Sequence, residues 1–172
     1  MSTTTCIVIM TVCLILSGYF SATETAFSSA NTTRLKTLAE KGNKRAALVC
    51  KLLERYDRLL STILIGNNIV NIATASIGTV LFVRHYGDAG ATISTVVVTV
   101  VVLIFGEISP KSIAKDCAEQ WAMLSAPMLQ ILIWIFTPLN ALFGAWKKFL
   151  AKRFDTGEKD TITEGELMTM VS

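Results

Sequence analysis

The stretch SATETAFSS, residues 21–29, interrupts the first apolar segment of the chain with hydroxyl groups and one carboxylate, Glu24. It follows CIVIMTVCLIL, residues 6–16, a run that carries no charge and is apolar enough to enter a lipid bilayer. A charged group at such a depth costs about 2.5–3.5 kcal/mol on insertion scales, and it is rarely left without a partner. We therefore expect the rest of the chain to provide groups that interact with Glu24.

The composition of the 172 residues is typical of a membrane protein. Charged residues make up 17%, whereas a soluble domain has about 25%. The net charge of +3 is too small to favour nucleic acid as a partner. The four cysteines include no close pair of the metal-binding or redox type, so we expect buried thiols rather than a disulfide framework. His85, the only histidine, is expected at the surface.

The N-terminus is compatible with two interpretations. Small residues after the apolar run, at Phe20-Ser21-Ala22, resemble the cleavage site of a signal peptide. No lysine or arginine precedes the run, however, and this favours a helix that stays in the membrane.

Three segments are predicted to cross the membrane, at about residues 5–29, 59–83 and 91–109. Residues 31–58 are rich in lysine and arginine, and Gly42-Asn43 divides them into two short amphipathic helices at the membrane surface. The positive charge places this segment in the cytoplasm and the N-terminus outside, in a cell membrane.

The segment of residues 121–146 is apolar and long enough to span, but both of its flanks are basic and therefore predicted to be cytoplasmic. Since Pro127 and Pro138 divide it, we expect a bent, re-entrant or belt-like helical segment rather than a fourth full span. Residues 154–172 are polar and acidic, and TEGE at residues 163–166 has a capping-box pattern. A helix is expected to begin there, so the sequence reads as a piece of a longer protein.

Polar side chains within the predicted spans fall on defined helix faces, because successive residues of a helix are about 100° apart. A first stripe, about 60° wide, contains Ser17, Ser21, Glu24 and Ser28. A second stripe, about 40° wide, contains Asn67, Asn71, Thr74 and Gly78, with Asn68 on the neighbouring face.

The third predicted span ends in FGEISPKS, residues 105–112, which places Glu107 close to a proline. Pro110 lacks a backbone donor and clashes with the preceding turn, so we expect the helix to kink or unwind there. Such a break frees backbone carbonyls near Gly106. Non-helical backbone is tolerated at membrane depth only where it is buried in protein or lines a cavity.

These residues form an all-oxygen set of carboxylates, hydroxyls, amides and carbonyls. Hard cations such as Mg²⁺, Ca²⁺ or Na⁺ prefer oxygen ligands, whereas soft metals prefer Cys or His. Other interpretations stay open: the small residues can be packing positions, the asparagines can bond between helices, and Glu24 can cap a backbone or pair with Lys111. Two acids within spans that hold no basic residue nevertheless favour a cation site or pathway.

Three motifs resemble those of the CNNM/CorC family of magnesium transporters. FSATETA at residues 20–26 is similar to the F-S-x-S-E-T-A pattern of that family. LSTILIGNNIVN at residues 60–71 and FGEISPKS at residues 105–112 are similar to its later motifs, in the same order and with similar spacing. The family more commonly has serine at the position of Thr23 and threonine at the position of Ser112. Both residues of this chain also carry a hydroxyl group.

The resemblance implies an all-α membrane protein that forms a homodimer, with three transmembrane helices and cytoplasmic juxtamembrane helices in each subunit. It implies export of Mg²⁺ as the transported ion, coupled to influx of Na⁺. It also implies a cytosolic CBS-pair domain, the part that would bind a nucleotide, which these residues do not contain. Residues 1–153 would then be the transmembrane domain, and residues 154–172 the start of a linker.

The resemblance also implies a role for individual residues. Ser21, the asparagine group and Glu107 would line the Mg²⁺ site with a carbonyl near Gly106, and Glu24 would be a direct ligand, a Na⁺ ligand or an acceptor behind the ligands. Apart from the resemblance, the residues themselves suggest that Pro110 supplies the helix break and that Lys111 takes part in gating by pairing with the acid when the cation leaves. The predicted site residues are Ser21, Glu24, Ser28, Asn67, Asn68, Asn71, Gly106 and Glu107.

Two other functions are weighed against transport. The chain can be a membrane anchor and dimerisation module that regulates a partner channel without carrying ions. An enzyme that uses Glu24 and Glu107 as an acid–base pair is disfavoured, because no nucleophile, metal-ligand histidine or phosphate loop accompanies them.

Overall fold

The computed structural model describes residues 1–154, and every regular element in that range is helical, which confirms the predicted all-α class. Residues Met1–Phe136 form one compact unit, and a second unit begins at Thr137. Apart from its first residue, the predicted linker of residues 154–172 lies outside the described residues, as does the capping box. The elements are α1 (Thr3–Ser29), α2 (Thr32–Glu40), α3 (Lys44–Leu53), α4 (Tyr56–Tyr86), a 3-10 turn (Gly87–Ala89), α5 (Gly90–Val101), a π-helical segment (Val102–Ile108), α6 (Ser109–Asp116), α7 (Ala118–Ile135) and α8 (Thr137–Phe154).

Two helical runs are long and apolar enough to cross a membrane, Thr3–Ser29 and Tyr56–Asp116. Both agree with the predicted class of membrane protein. α7 and α8 meet the same criteria only when they are taken together across the interruption at Phe136. The return of residues 121–146 to the cytoplasmic side stays a prediction.

The longer run folds into a hairpin. Gly78 of α4 faces Ser94 of α5, and Gly90 at the start of α5 lies against the Phe82 carbonyl, so α4 and α5 are antiparallel. Gly87 makes the turn with a φ of 64°, a backbone conformation that is open to glycine and costly for other residues. The run therefore supplies two helical legs. With α1 as the first leg of the bundle, α4 is the second leg, and α5, the π segment and α6 together form the continuous third leg.

α1 is the central helix of the first unit. It packs against α4, the π segment, α6 and α7. From Phe20 to Phe27 every residue except Glu24 is buried, so the polar half of this helix packs against other helices. The first half instead exposes large apolar side chains, namely Ile7, Val8, Val12 and Ile15.

α2 and α3 are the two short helices that the basic segment predicts, and they are separated at the predicted glycine. Asn31 and Asn43 cap them by accepting backbone hydrogen bonds, and Gly42 between them has a φ of 95°. The two helices pack against each other, and α3 also packs against α7. Their inward faces join the core of the unit through Leu35, Ala46, Val49 and Leu52.

The sequence predicts that the helix kinks or unwinds at Pro110; unwinding is wrong, because the leg stays helical there, and the kink stays a prediction. Residues Val102–Ile108 form π turns, in which the Ser109 N–H bonds to the Ile104 carbonyl, five residues back. Pro110 then occupies the first turn of α6. The first turn of a helix needs no donor from proline, and the wider π turns before it accommodate the ring, so the chain need not unwind.

The expectation that Pro127 divides residues 121–146 is wrong. Pro127 lies inside α7 on its exposed side, and the interruption falls at Phe136, just before Pro138. One missing hydrogen bond does not break the helix because its opposite face is held by packing. That buried face consists of Ala118, Ala122, Ser125, Ala126 and Leu129.

Candidate functional site

A partly buried group of hydrogen-bonded side chains links α1 to α4. Ser17 Oγ donates to Asn71 Oδ1 at 2.7 Å and, at the longer distance of 3.3 Å, to Asn67 Oδ1. Asn71 Nδ2 in turn donates to Asn67 Oδ1 at 3.5 Å. Two amide oxygens thus converge on one fully buried hydroxyl, an acceptor-rich arrangement. We call Ser17, Asn67 and Asn71 the polar cluster.

Ser17 is a member of the cluster that the predicted site residues omit. It lies in the first predicted stripe, one turn before Ser21, so the helical spacing did place it on the correct face. Helical spacing alone does not indicate how deeply each serine of that stripe is buried. In the structure Ser17 and Ser21 are both fully buried, whereas Ser28 is exposed.

Gly106 brings the π segment against the polar cluster. A Cβ atom at this buried position would lie 2.8 Å from Ser17 Oγ, closer than real side chains approach. The absence of a side chain therefore lets the backbone of the third leg reach α1 at Ser17. Pro110 lies about one turn after Gly106, and its ring packs in a similar way against Gly18 of α1.

The π turns and the proline together leave one backbone carbonyl of the third leg without its helical donor. In the π register the donor to the Phe105 carbonyl would be the N–H of Pro110, which proline lacks. The Phe105 oxygen faces α1, 3.4 Å from where a Cβ of Gly18 would stand. The predicted carbonyl near Gly106 therefore corresponds to that of Phe105.

Ser21 has an unusual environment for a hydroxyl. It is fully buried, and its Oγ atom has no hydrogen-bond partner within residues 1–154. A buried polar group left unbonded costs about 1–3 kcal/mol. Such a group in a native fold calls for an explanation, and an oxygen ligand to a cation is one.

Glu24, the carboxylate in the opening stretch, lies beside Lys111 of α6. Their Oε2 and Nζ atoms are 3.7 Å apart, and the side chains are 28% and 41% exposed. Of the alternatives that the sequence left open for this glutamate, pairing with Lys111 is therefore the one present. A pair with this much exposure contributes little to stability, on the order of 1 kcal/mol or less.

The remaining predicted site residues do not lie together in one group. Glu107 is half-buried in the π segment and forms no hydrogen bond or ion pair within the described range. Asn68 is exposed on α4, and Ser28 donates to the backbone carbonyls of Glu24 and Thr25. No three Cys, His, Asp or Glu side chains gather in residues 1–154. A cation site here depends on hydroxyl, amide and carbonyl oxygens with few carboxylates.

A side-chain hydrogen bond joins α7 to α1 at Thr23, two residues after Ser21. Trp121 Nε1 donates to Thr23 Oγ1 at 3.1 Å, and Thr23 Oγ1 donates to the Tyr19 carbonyl at 2.7 Å. Thr23 is fully buried. The hydroxyl that the motif retains at this position therefore has a structural partner in α7.

An apolar cavity of about 230 Å³ lies between α1, α4 and α5. Leu14, one of its lining residues, also borders Gly106. No carboxylate lines it, so it is not itself a cation site.

We predict that Gly106→Ala lowers the melting temperature of the detergent-purified protein. The added methyl group must displace Ser17 Oγ, which disrupts its hydrogen bond to Asn71 and costs about 1–3 kcal/mol. The measurement is thermal unfolding followed by circular dichroism. In the Ser17→Ala background the same change should cost clearly less, because the atom that it meets is gone. An equal cost in both backgrounds would contradict the assigned contact.

The sequence model described as "Cyclin M transmembrane N-terminal domain" matches residues 8–172. A UPF0053 protein of Haemophilus influenzae is 44% identical over 98% of this chain and 41% of its own length. The UPF0053 inner membrane protein YfjD of Escherichia coli is 39% identical over 91% of this chain and 37% of its own length. A polyamine export protein of H. influenzae is 27% identical over 93% of this chain and 41% of its own length. The chain thus spans about two fifths of the length of these relatives.

Proposed function

Because the chain belongs to the cyclin M transmembrane-domain family, we propose that it forms the ion pathway of a membrane transporter that exports Mg²⁺. The proposal includes coupling to Na⁺ influx, a homodimer, and an orientation with the N-terminus outside and residues 31–58 in the cytoplasm. These finer statements rest on the motifs and on the charge distribution. The activity and partners of the whole protein are part of the same proposal.

The observation that carries the proposal is the oxygen-only polar set inside the helical bundle. The amide oxygens of Asn67 and Asn71 converge on Ser17, the Phe105 carbonyl lacks its helical donor, and the buried Ser21 hydroxyl is unbonded within residues 1–154. Mg²⁺ requires oxygen ligands at about 2.0–2.1 Å in near-octahedral geometry and keeps several waters. A site that offers few carboxylates suits an ion that arrives partly hydrated and has to leave again.

We infer a division of roles between the two acids. Glu107 has no protein partner within the described residues, so its carboxylate is free to compensate the charge of an arriving cation. Glu24 is paired with Lys111, so a cation that binds Glu24 has to displace an ammonium group. Lys111 would then act as the gate: it returns to Glu24 when the ion departs, and alternating access follows from this exchange between α1 and α6.

Ion flux in sealed liposomes tests the proposal. The purified chain is reconstituted with a Mg²⁺-sensitive dye inside, and flux is followed with and without a Na⁺ gradient. Mg²⁺ movement that the Na⁺ gradient accelerates is expected. Protein that is inserted and dimeric but produces no flux would instead support the alternative, a membrane anchor that regulates a partner channel.

A polyamine is the second candidate substrate, because one relative is named a polyamine export protein. Polyamines are flexible polycations that carboxylates and amide oxygens also bind. The same liposomes loaded with radiolabelled spermidine distinguish the two substrates. Spermidine efflux that excess Mg²⁺ does not inhibit would reassign the pathway.

A further inference from the structure

We propose that a pocket at the junction of α3 and α4 binds the phosphate group of an anionic phospholipid. A cavity of about 320 Å³ opens there, and α7 closes its far side. This basic pocket is separate from the polar cluster, and its assignment does not depend on what the protein transports. It is lined by Lys51, Leu52, Glu54, Arg55, Arg58, Gln130 and Ile133.

The cations of the basic pocket have no partners in the fold. Lys51, Arg55 and Arg58 are exposed, and none of their side chains forms a hydrogen bond or an ion pair within the part of the chain that the structure describes. Glu54 is the single acid in the lining, so three positive charges face one negative charge and the pocket carries a net +2. Asp57, the next acid along the chain, does not line it.

Two guanidinium groups give the pocket its preference for phosphate. Each arginine presents a planar fork of N–H donors that can bind two phosphate oxygens at once. Arg55 and Arg58 are separated by one helical turn, because Arg55 directly precedes α4 and Arg58 lies in its first turn. Both can therefore reach one phosphate from the same side, with Lys51 adding a third positive charge from α3.

The position of the pocket and its apolar wall select a lipid over a free phosphate ion. α4 continues from Arg58 into a run that is apolar enough to cross a membrane, so the pocket lies at the end of that run. Ile133 of α7 and Leu52 of α3 add apolar surface beside the charges. A phosphate joined to acyl chains uses both surfaces, whereas inorganic phosphate uses only one. Basic pockets at this level of membrane proteins are suited to anionic headgroups.

Spin-labelled lipids test the assignment. The full chain is reconstituted in phosphatidylcholine vesicles, and the motionally restricted fraction of spin-labelled phosphatidylglycerol is compared with that of spin-labelled phosphatidylcholine. A preference for phosphatidylglycerol is expected in the unmodified protein. Arg55→Gln/Arg58→Gln should reduce it by at least about fivefold, since the change removes two of the three positive charges that attract the anionic headgroup.

Lys44→Gln/Arg45→Gln is the matched control. It removes the same charge from exposed positions in α3 that do not line the pocket, and it should leave the lipid preference unchanged. An equal loss of lipid preference in both double variants would assign the preference to the general charge of the basic segment. An unchanged preference in Arg55→Gln/Arg58→Gln would refute the proposed phosphate site.

Inorganic phosphate is added at constant ionic strength in a third experiment. Displacement of the labelled lipid at low millimolar phosphate would make this a soluble-anion site and overturn the lipid assignment.

Discussion

Glu107→Gln is expected to reduce Mg²⁺ flux through reconstituted protein by at least about 100-fold, because loss of even an outer partner of a metal ligand costs about 10–100-fold in affinity. Glutamine has nearly the same volume as glutamate and keeps a carbonyl oxygen, so the change removes the charge and little else. The carboxylate forms no hydrogen bond or ion pair within residues 1–154, so its removal leaves no described group unpaired. The measurement is initial flux in sealed liposomes at saturating and at low Mg²⁺.

The matched control is Glu40→Gln, which neutralises an exposed carboxylate at the end of α2, away from the polar cluster. It should transport at the unmodified rate. Both variants should elute as the same oligomer and melt at the same temperature as the parent protein. Flux through Glu107→Gln at the rate of the Glu40→Gln protein would remove Glu107 from the pathway.

Among the glycines of residues 1–154, Gly90 is the one where a Cβ would come closest to backbone atoms, so Gly90→Ala should destabilise the protein strongly. A Cβ at this position overlaps the Phe82 carbonyl and lies 2.6 Å from the Val83 Cα, so it meets backbone rather than a movable side chain. The α4–α5 hairpin must open to admit it. We expect a loss of about 3 kcal/mol, seen as a melting temperature lower by about 6–12 °C.

Gly144→Ala provides the opposite case. Nothing lies within 4 Å of the position that its Cβ would take, and the residue is inside α8. Alanine is favoured over glycine in a helix by about 1 kcal/mol, so this change should leave the melting temperature unchanged or raise it. If both substitutions behaved alike, the close approach of the two legs at Gly90 would be refuted.

Elements with strong local signals could be predicted from the sequence. Apolar runs of sufficient length define α1 and α4, and Gly42-Asn43 with an asparagine cap separates α2 from α3. The helical spacing also placed Ser17 and Ser21 on one face of α1 and Asn67 and Asn71 on one face of α4. That the two faces meet is then expected, because polar side chains in a membrane helix turn toward other helices.

The errors arise where tertiary packing decides the outcome. Pro127 and Pro110 are both read locally as helix breakers, yet packing on the opposite face of α7 and π turns before α6 keep both regions helical. The partner of Glu24 could not be deduced either. Lys111 was one of several alternatives, and the choice depends on how α6 is turned relative to α1.

α6 directly follows the π segment in the chain. In the seven residues Val102–Ile108, backbone hydrogen bonds connect residues five apart instead of four, so each turn contains more residues than an α-helical turn. If this segment changed to α-helical bonding and its register shifted by one residue, α6 would rotate by about 100° and move by about 1.5 Å along the helix axis. Pro110 would leave Gly18, and Lys111 would point away from Glu24. A shift of this size in the register of the leg that contains the π segment would therefore break the ion pair between α1 and α6.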